Sequence, residues 1–317
     1  MKAFITGAAG FIGSNLTDRL LAKGWQVVGW DNFSTGRERF LESASHHATF
    51  TLHRGSTLDS IAMTEAMRSC DIVFHLAANA DVRFGLEHPG RDLEQNTVAT
   101  FHVLEATRLA GVRRFAFSST GSVYGESAVI PTPEDAPFPL QTSLYGASKL
   151  AGEGMIAAYA EGYGFEATIF RFVSILGHRY THGHVFDFCR QLRADPSRLD
   201  ILGDGTARKS YLDVEDCISA ILHIVAQRAG GPKCAIYNLG TNEYCAVRDS
   251  IGWICARLGV QPELRFKGGD RGWVGDNPFI FLETKKARAT GWAPQYSIQQ
   301  GVERTVDFLR EYPWVFE

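Results

Sequence analysis

No apolar run in the 317-residue chain reaches the length of a bilayer, so no membrane-spanning helix and no membrane partner are expected. Neither sign of charge dominates. Lysine and arginine number 32, aspartate and glutamate 35, and the net charge of −3 gives no electrostatic case for nucleic acid or an anionic lipid surface. Cysteine is sparse and scattered: Cys70, Cys189, Cys217, Cys234, Cys245 and Cys255 form no C-x-x-C pair. Reduced thiols in a cytoplasmic protein are therefore expected, rather than a disulfide framework or a zinc site. Internal repeats and low-complexity linkers are also missing. The opening "MKAFITGAAGFIGSNL" has a lysine and a short apolar stretch, but no convincing cleavage site follows, so it reads as folded protein.

What is present is an alternation. Short β-branched or aromatic runs, "KAFIT" (2–6), "QVVGW" (26–30), "ATFTLH" (48–53), "DIVFHLA" (71–77), "RFAFSS" (114–119) and "EATIFRF" (166–172), predict strands. Helical patterns fall between them near 11–23, 60–69, 92–110 and 144–162. Strand–helix alternation implies a parallel sheet covered on both faces, so the fold class is α/β with a doubly wound Rossmann-type sheet. Beyond residue 173 the pattern loosens, with helices predicted near 184–193, 213–228, 245–258 and 297–311. That leads to a division into a nucleotide-binding domain, 1–173, and a smaller C-terminal α/β substrate lobe, 174–317. The run "AIYNLG" (235–240) reads as a strand returning to the first sheet. "IPTPEDAPFPL" (130–140) reads as a surface loop, able to act as a lid.

Gly7, Gly10 and Gly13 lie between the first strand and the first helix. Glycines there permit a tight turn and let backbone N–H groups approach a pyrophosphate at the helix N-terminus. The second strand ends in "VVGWDN", placing Asp31 where an acid accepts from both ribose hydroxyls of an adenosine and repels a 2′-phosphate. The expected cofactor is a dinucleotide, NAD rather than NADP. Tyr145 and Lys149 in "SLYGASKLAGEG" are one helical turn apart, so both project from one face. By itself that pair reads first as an ordinary half-buried tyrosine beside an exposed lysine.

"TGAAGFIG", "WDN", "HLAA", "SSTGSVYG" and "YGASK" occur in the order found in the extended short-chain dehydrogenase/reductase family. The chain resembles its nucleotide-sugar epimerase branch over nearly its full length, and among these the UDP-glucose (UDP-galactose) 4-epimerases. The resemblance implies that Tyr145 is the catalytic base, that Lys149 holds the nicotinamide ribose and lowers the tyrosine pKa, and that Thr120 hydrogen-bonds the reacting sugar hydroxyl. A phenol of pKa ~10 needs such help to act near neutrality. It further implies NAD contacts from Phe11, Ile12, Asn32, Ser34, Gly36, Leu76, Ala77, Ala78 and Ser118, besides Gly7, Gly10, Gly13, Asp31, Tyr145 and Lys149. Substrate contacts fall to Thr120, Ser174, His184, Val185, Arg208, Lys209, Arg271, Asp276 and Ile280. Either Arg208 or Lys209 in "TARKSY" takes the place of a single diphosphate-binding arginine, and the sequence leaves that choice open. His178, His182 and His184 match no standard zinc spacing, so no metal is expected. His75 reads as a core histidine.

Some positions depart from the family. Gly121 and Ser122 follow Thr120, where dehydratases of the family carry Asp-Glu. Ser56 stands where relatives have an adenine-contacting acid, and Ser174 where many have a substrate-binding asparagine. The expected activity is therefore NAD-dependent 4-epimerisation of a UDP-sugar through a 4-keto intermediate, by a homodimer pairing through helices near 92–110 and 144–162. Isoleucine at 280, where a large tyrosine would exclude N-acetylated sugars, implies that the N-acetylated pair is accepted too. The rivals are another nucleotide-sugar epimerase, such as one acting at C2 of a CDP-sugar, a net oxidoreductase, or a non-catalytic NAD-binding regulator.

Overall fold

The computed structural model describes residues 1–317 except 139, 229, 270, 273–276 and 278, and leaves the side chains of 83 and 84 undescribed. The chain forms two compact units, and each takes up more than one stretch of sequence. The first comprises Met1–Val123, Ser143–Arg171 and Ile221–Tyr237; the second comprises Tyr124–Thr142, Phe172–Ala220 and Asn238–Glu317.

The first unit is built on a seven-stranded sheet. Its first six strands are β1 (Lys2–Thr6), β2 (Gln26–Asp31), β3 (Phe50–Arg54), β4 (Ile72–His75), β5 (Arg114–Thr120) and β6 (Glu166–Phe172). In the second unit lie β7 (Ser174–Leu176), β8 (Arg198–Ile201), β9 (Arg208–Lys209) and β10 (Tyr211–Asp213). β11 (Cys234–Leu239) then completes the sheet, as "AIYNLG" predicts, in the order β11-β6-β5-β4-β1-β2-β3. β1 pairs in parallel with both β2 and β4, and Thr6 aligns with Trp30 on one side and His75 on the other. The strand order reverses between β1 and β4, the crevice where sheets of this kind take ligands.

Helices α1 (Phe11–Ala22), α2 (Ser60–Met67), α3 (Ala99–Leu109) and α4 (Leu144–Tyr163) connect the strands. Phe4, Trp30, Met63, Met67, Leu104, Phe115, Phe117, Ile156 and Ile169 belong to one buried cluster. At roughly 1.5–3 kcal/mol for each large apolar side chain, this cluster is the main force holding helices to sheet. The predicted helix 92–110 is not uniform. Leu93–Val98 is a π-turn leading into α3, and its one-residue slip turns Asn96 into the interior.

The second unit contains small sheets. β7 pairs with β10 in parallel, and β8 pairs with β13 (Glu263–Phe266). β9 lies between β12 (Cys245–Ala246) and β14 (Phe279–Ile280). Helices α5 (His184–Ala194), α7 (Val247–Leu258) and α8 (Ile298–Glu311) pack on one another, with α6 (Val214–Ala226) between them in sequence. α8 buries Ile298, Val302, Val306 and Leu309, the stripe expected of an amphipathic helix. Within 130–140, Thr132 is buried. Its N–H donates to the Phe281 carbonyl and its own carbonyl accepts from Glu283, both at 2.9 Å. The expected lid is thus stapled at Thr132, because a buried backbone must find partners.

Candidate active site

The residues expected to hold a cofactor sit at the carboxyl ends of neighbouring strands. Gly7 has φ +71, which a residue with a side chain rarely adopts, and a Cβ there would meet the Ala77 backbone nitrogen at 2.8 Å. A Cβ on Gly13 would lie 2.0 Å from the Gly7 carbonyl oxygen. That contact lets α1 start hard against β1. Gly10 is the N-cap of α1, makes no side-chain cap bond, and no acid occupies the first turn. The helix N-terminus, which includes Phe11 and Ile12, thus offers backbone N–H groups with no carboxylate competing, a fit for pyrophosphate.

Asp31 closes β2. Its Oδ2 accepts from Ala9 N–H and its Oδ1 from Phe33 N–H, each at 2.8 Å. Burial pushes its pKa up while those two backbone bonds pull it down. The loop after it folds close: a Cβ on Gly36 would lie 2.8 Å from Asp31 Oδ1, and Asn32 Oδ1 accepts from Ser34 N–H at 3.0 Å. Each carboxylate oxygen keeps lone pairs beyond its backbone bond, so a ribose diol fits here. Ser56, in place of an acid, uses its hydroxyl locally to accept from Leu58 N–H. After β4, the Leu76 and Ala77 N–H groups donate to Thr6 Oγ1 at 3.1 and 3.2 Å, fixing the start of the Leu76–Ala78 loop beside the glycine turn.

Tyr145 and Lys149 lie on α4, whose N-cap Ser143 accepts from Gly146 N–H at 3.0 Å. Lys149 is 2% exposed; its Nζ donates to the Ser118 carbonyl at 2.9 Å and sits 4.7 Å from the centre of the Phe117 ring. Ser118 Oγ donates to the His75 carbonyl. Thr120 Oγ1 accepts from Ser122 N–H at 3.1 Å and lies 3.2 Å from Ser122 Oγ, and its hydroxyl favours the ionised form of Tyr145. Tyr145, Thr120 and Lys149 therefore meet at the end of β5.

Their electrostatics differ from the expectation of a phenol made acidic by lysine. The Tyr145 pKa is pushed up to about 12, first by burial and then by the charge of Asp92, with only the Thr120 bond acting the other way. Burial pushes Lys149 down to about 7, against the pull of Glu153 and Asp92. Burial disfavours both charged forms, and the ammonium is directed at Ser118 rather than at the phenol.

A buried polar network around this pair was not anticipated. Glu153, one turn beyond Lys149, accepts from Ser119 Oγ and forms an ion pair with Arg171 at 2.6 Å, both nearly inaccessible. Asn96 Nδ2 donates to Ser148 Oγ at 3.0 Å and to Asp92 Oδ1 at 3.1 Å. His75 is fully buried and held neutral, its pKa lowered by burial to about 3. Thr100 donates to the Asn96 carbonyl, so it accepts from His75 Nε2–H, which leaves Nδ1 to accept from Thr6. Signals for these residues existed. Glu153 extends the four-residue ladder from Tyr145 and Lys149, Asp92 and Asn96 share that spacing, and Arg171 is a charge within the apolar end of its strand, Ile169–Phe172.

In the second unit, Arg208 and Lys209 point to opposite faces of the β12-β9-β14 sheet. Arg208 aligns with Phe279, and its guanidinium lies 4.1 Å from that ring and 5.5 Å from Tyr244. Lys209 aligns with Ile280 and Cys245 on the other face, and its ammonium donates to the Asn277 carbonyl. The charge of Lys209 helps burial hold His184 neutral, with a pKa near 3; the His184 ring bonds to Ser250 at 2.7 Å and Tyr211 at 3.3 Å. Val185, in the first turn of α5, is wholly buried. Ser174 is exposed and aligns with Tyr211. Arg271 pairs with Glu126 at 2.7 Å. Asp276 lies outside the described residues.

Comparison with known proteins agrees with this geometry. Residues 3–240 match the NAD dependent epimerase/dehydratase family. The chain is 34% identical to a UDP-glucose 4-epimerase of Mycolicibacterium smegmatis, over 98% of this chain and 99% of that protein. A crystal structure of a UDP-galactose 4-epimerase superposes with a TM-score of 0.88 at 36% identity, covering 99% of this chain and 100% of the other. The UDP-glucose 4-epimerase of Thermotoga maritima, solved with UDP-glucose, gives 0.87 at 31%, again covering 99% and 100%. A glycine turn with no room for side chains, an acid closing the second strand, and a family match over most of the length converge: the chain belongs to the NAD dependent epimerase/dehydratase family.

Proposed function

We propose that this protein is an NAD-dependent UDP-sugar 4-epimerase that interconverts UDP-glucose and UDP-galactose. The observation that carries this reading is what surrounds Thr120: Gly121 and the Ser122 hydroxyl, with a tyrosine base and no carboxylic acid at either following position. Eliminating water from a sugar needs a proton donor for the leaving hydroxyl, and these two positions carry none. When bound, NAD supplies a reversible hydride acceptor and, in its oxidised form, a positive charge. Tyr145 Oη takes the proton of the C4 hydroxyl and later returns it, while Thr120 Oγ1 orients that hydroxyl. Lys149 holds the nicotinamide ribose. Epimerisation requires the 4-keto sugar to present its other face before Tyr145 gives the proton back.

Lys209, sharing a face with Ile280, is the diphosphate cation, and Arg208 serves its aromatic neighbours. His184, Ser174, Arg271 and the Val185 backbone complete the nucleotide-sugar contacts, and Ile280 leaves room for a 2-acetamido group. A homodimer is supported by apolar side chains left exposed along one stretch, Leu93, Val98, Phe101 and Leu109, and at the ends of α4, Leu144 and Tyr163. Free thiols throughout suit the cytoplasm. The test is incubation with UDP-, dTDP-, GDP- and CDP-sugars, followed by NMR. Interconversion of UDP-glucose and UDP-galactose without consumption of added NAD is expected. A 4-keto-6-deoxy product, or net NADH release, overturns the reading.

A further inference from the structure

Asp92 is 1% exposed. Its Oδ1 accepts from Asn79 Nδ2 at 2.8 Å and from Asn96 Nδ2 at 3.1 Å. Its Oδ2 is buried with no hydrogen-bond partner among the described residues, and it lies where a Cβ on Gly85 would come within 2.0 Å. An orphaned carboxylate oxygen in an interior is costly unless its charge has a use. Asn96 also accepts from Asn79 N–H at 2.8 Å and donates to Ser148, which in turn donates to the Tyr145 carbonyl at 2.8 Å. One carboxylate therefore anchors both the loop after β4 and the turn of α4 that carries Tyr145 and Lys149.

Charge points the same way. The ionisable groups acting on the pair come from several elements: Asp92 ahead of the π-turn, Glu153 on α4 itself, and His75, neutral, on β4. Arg171 on β6 neutralises Glu153, and Asp81 acts on Asp92. Glu153, the larger of the two charges acting on Lys149, is itself paired with Arg171, and Asp92 is the second anion acting on the Lys149 ammonium. Formation of phenolate at Tyr145 adds a further anion to a balanced interior.

We infer that Asp92 is a positioning residue for the Tyr145–Lys149 pair: its carboxylate clamps Asn79 and Asn96 behind the pair and balances the Lys149 charge, so that Tyr145 gives up its proton only when a further cation joins it. This rests on Tyr145 being the base of the reaction proposed above. The oxidised nicotinamide has the charge required, which couples readiness of the base to the oxidation state of the cofactor.

The sign is fixed by electrostatics. Removing an anion lowers the tyrosine pKa, so Asp92→Asn moves the acid limb of kcat/KM to lower pH, by about one unit. The looser clamp cuts kcat about tenfold. Ser148→Ala, which cuts the tether and leaves the charge, lowers kcat without moving the limb. A readout free of turnover is the ultraviolet ionisation of Tyr145 in cofactor-stripped protein, taken as the difference from Tyr145→Phe. That transition falls to lower pH in Asp92→Asn. An unmoved limb and an unmoved transition overturn the inference and leave only a structural role. Asp92→Ser repeats the test should the amide fail to fold, because a hydroxyl still accepts from Asn79 and Asn96. If neither neutral variant folds, the carboxylate is a folding element and the inference falls. Wild-type protein that turns over no UDP-sugar refutes the proposed reaction instead, and the tyrosine titration still reads Asp92.

Discussion

The two units solve the problem of holding a ligand in different ways. In the first, the candidate residues stand on strand ends and helix starts. Glycine contacts with no space for a Cβ fix the turn, and buried polar contacts tie Asp92 to Asn96, Lys149 to the Ser118 carbonyl and Glu153 to Arg171. In the second, the candidates occupy strands of two or three residues, a helix tip and a loop, and Arg208 and Lys209 differ in the face they occupy. The first arrangement resists substitution because backbone and buried charge are committed together. The second should change ligand preference when a single side chain is exchanged. Chemistry should therefore fail all at once in the first unit and drift by degrees in the second.

The comparison is tested hardest at the base. Tyr145→Phe should cost about a thousandfold or more in kcat, with fold and bound NAD retained, as read by steady-state kinetics and cofactor content. A loss below about tenfold would take the base out of the first unit. Next comes the buried ion pair. Arg171→Met leaves Glu153 charged and unpaired, and should destabilise the protein by roughly 3–5 kcal/mol in a denaturant titration. No change in midpoint would show that Glu153 finds another partner and that the network is less committed than its geometry implies.

Within the second unit, Lys209→Ala should lower kcat/KM about a hundredfold, whereas Arg208→Ala should change it by less than about threefold. The reverse order would mean that the face bearing Phe279, not the one bearing Ile280, meets the diphosphate. The smallest effect is expected at Ile280. Ile280→Tyr should reduce kcat/KM for UDP-N-acetylglucosamine about tenfold more than for UDP-glucose. Equal slowing of both sugars would remove Ile280 as the specificity wall.

Much of the first unit was legible because its signals are local. A glycine turn between strand and helix, an acid closing the next strand, and a tyrosine four residues before a lysine depend only on backbone geometry and helical spacing. Most strands of the sheet were readable for a related reason: strands buried on both faces are continuous apolar runs, whereas the largely exposed β3 begins two residues later than predicted and β4 ends two residues sooner. The π-turn at Leu93–Val98 could not be read, since apolar periodicity passes smoothly through it and only packing against α4 selects the slip. Nor could the ambiguity at "RK" be resolved. Two adjacent cations alternate by rule in a strand, but which one faces the ligand depends on β14 from far along the chain.

By itself the sequence determined the α/β class, the dinucleotide turn and the placing of Tyr145 and Lys149 on one helix face, all set by neighbours within a turn or a strand. Only the tertiary structure decided that Asp92 and Glu153 would act on that pair, and that the phenol would be pushed up rather than down. The reason is physical. A side chain's charge state depends on desolvation and on charges brought near by folding, and neither is a property of the residues beside it in sequence.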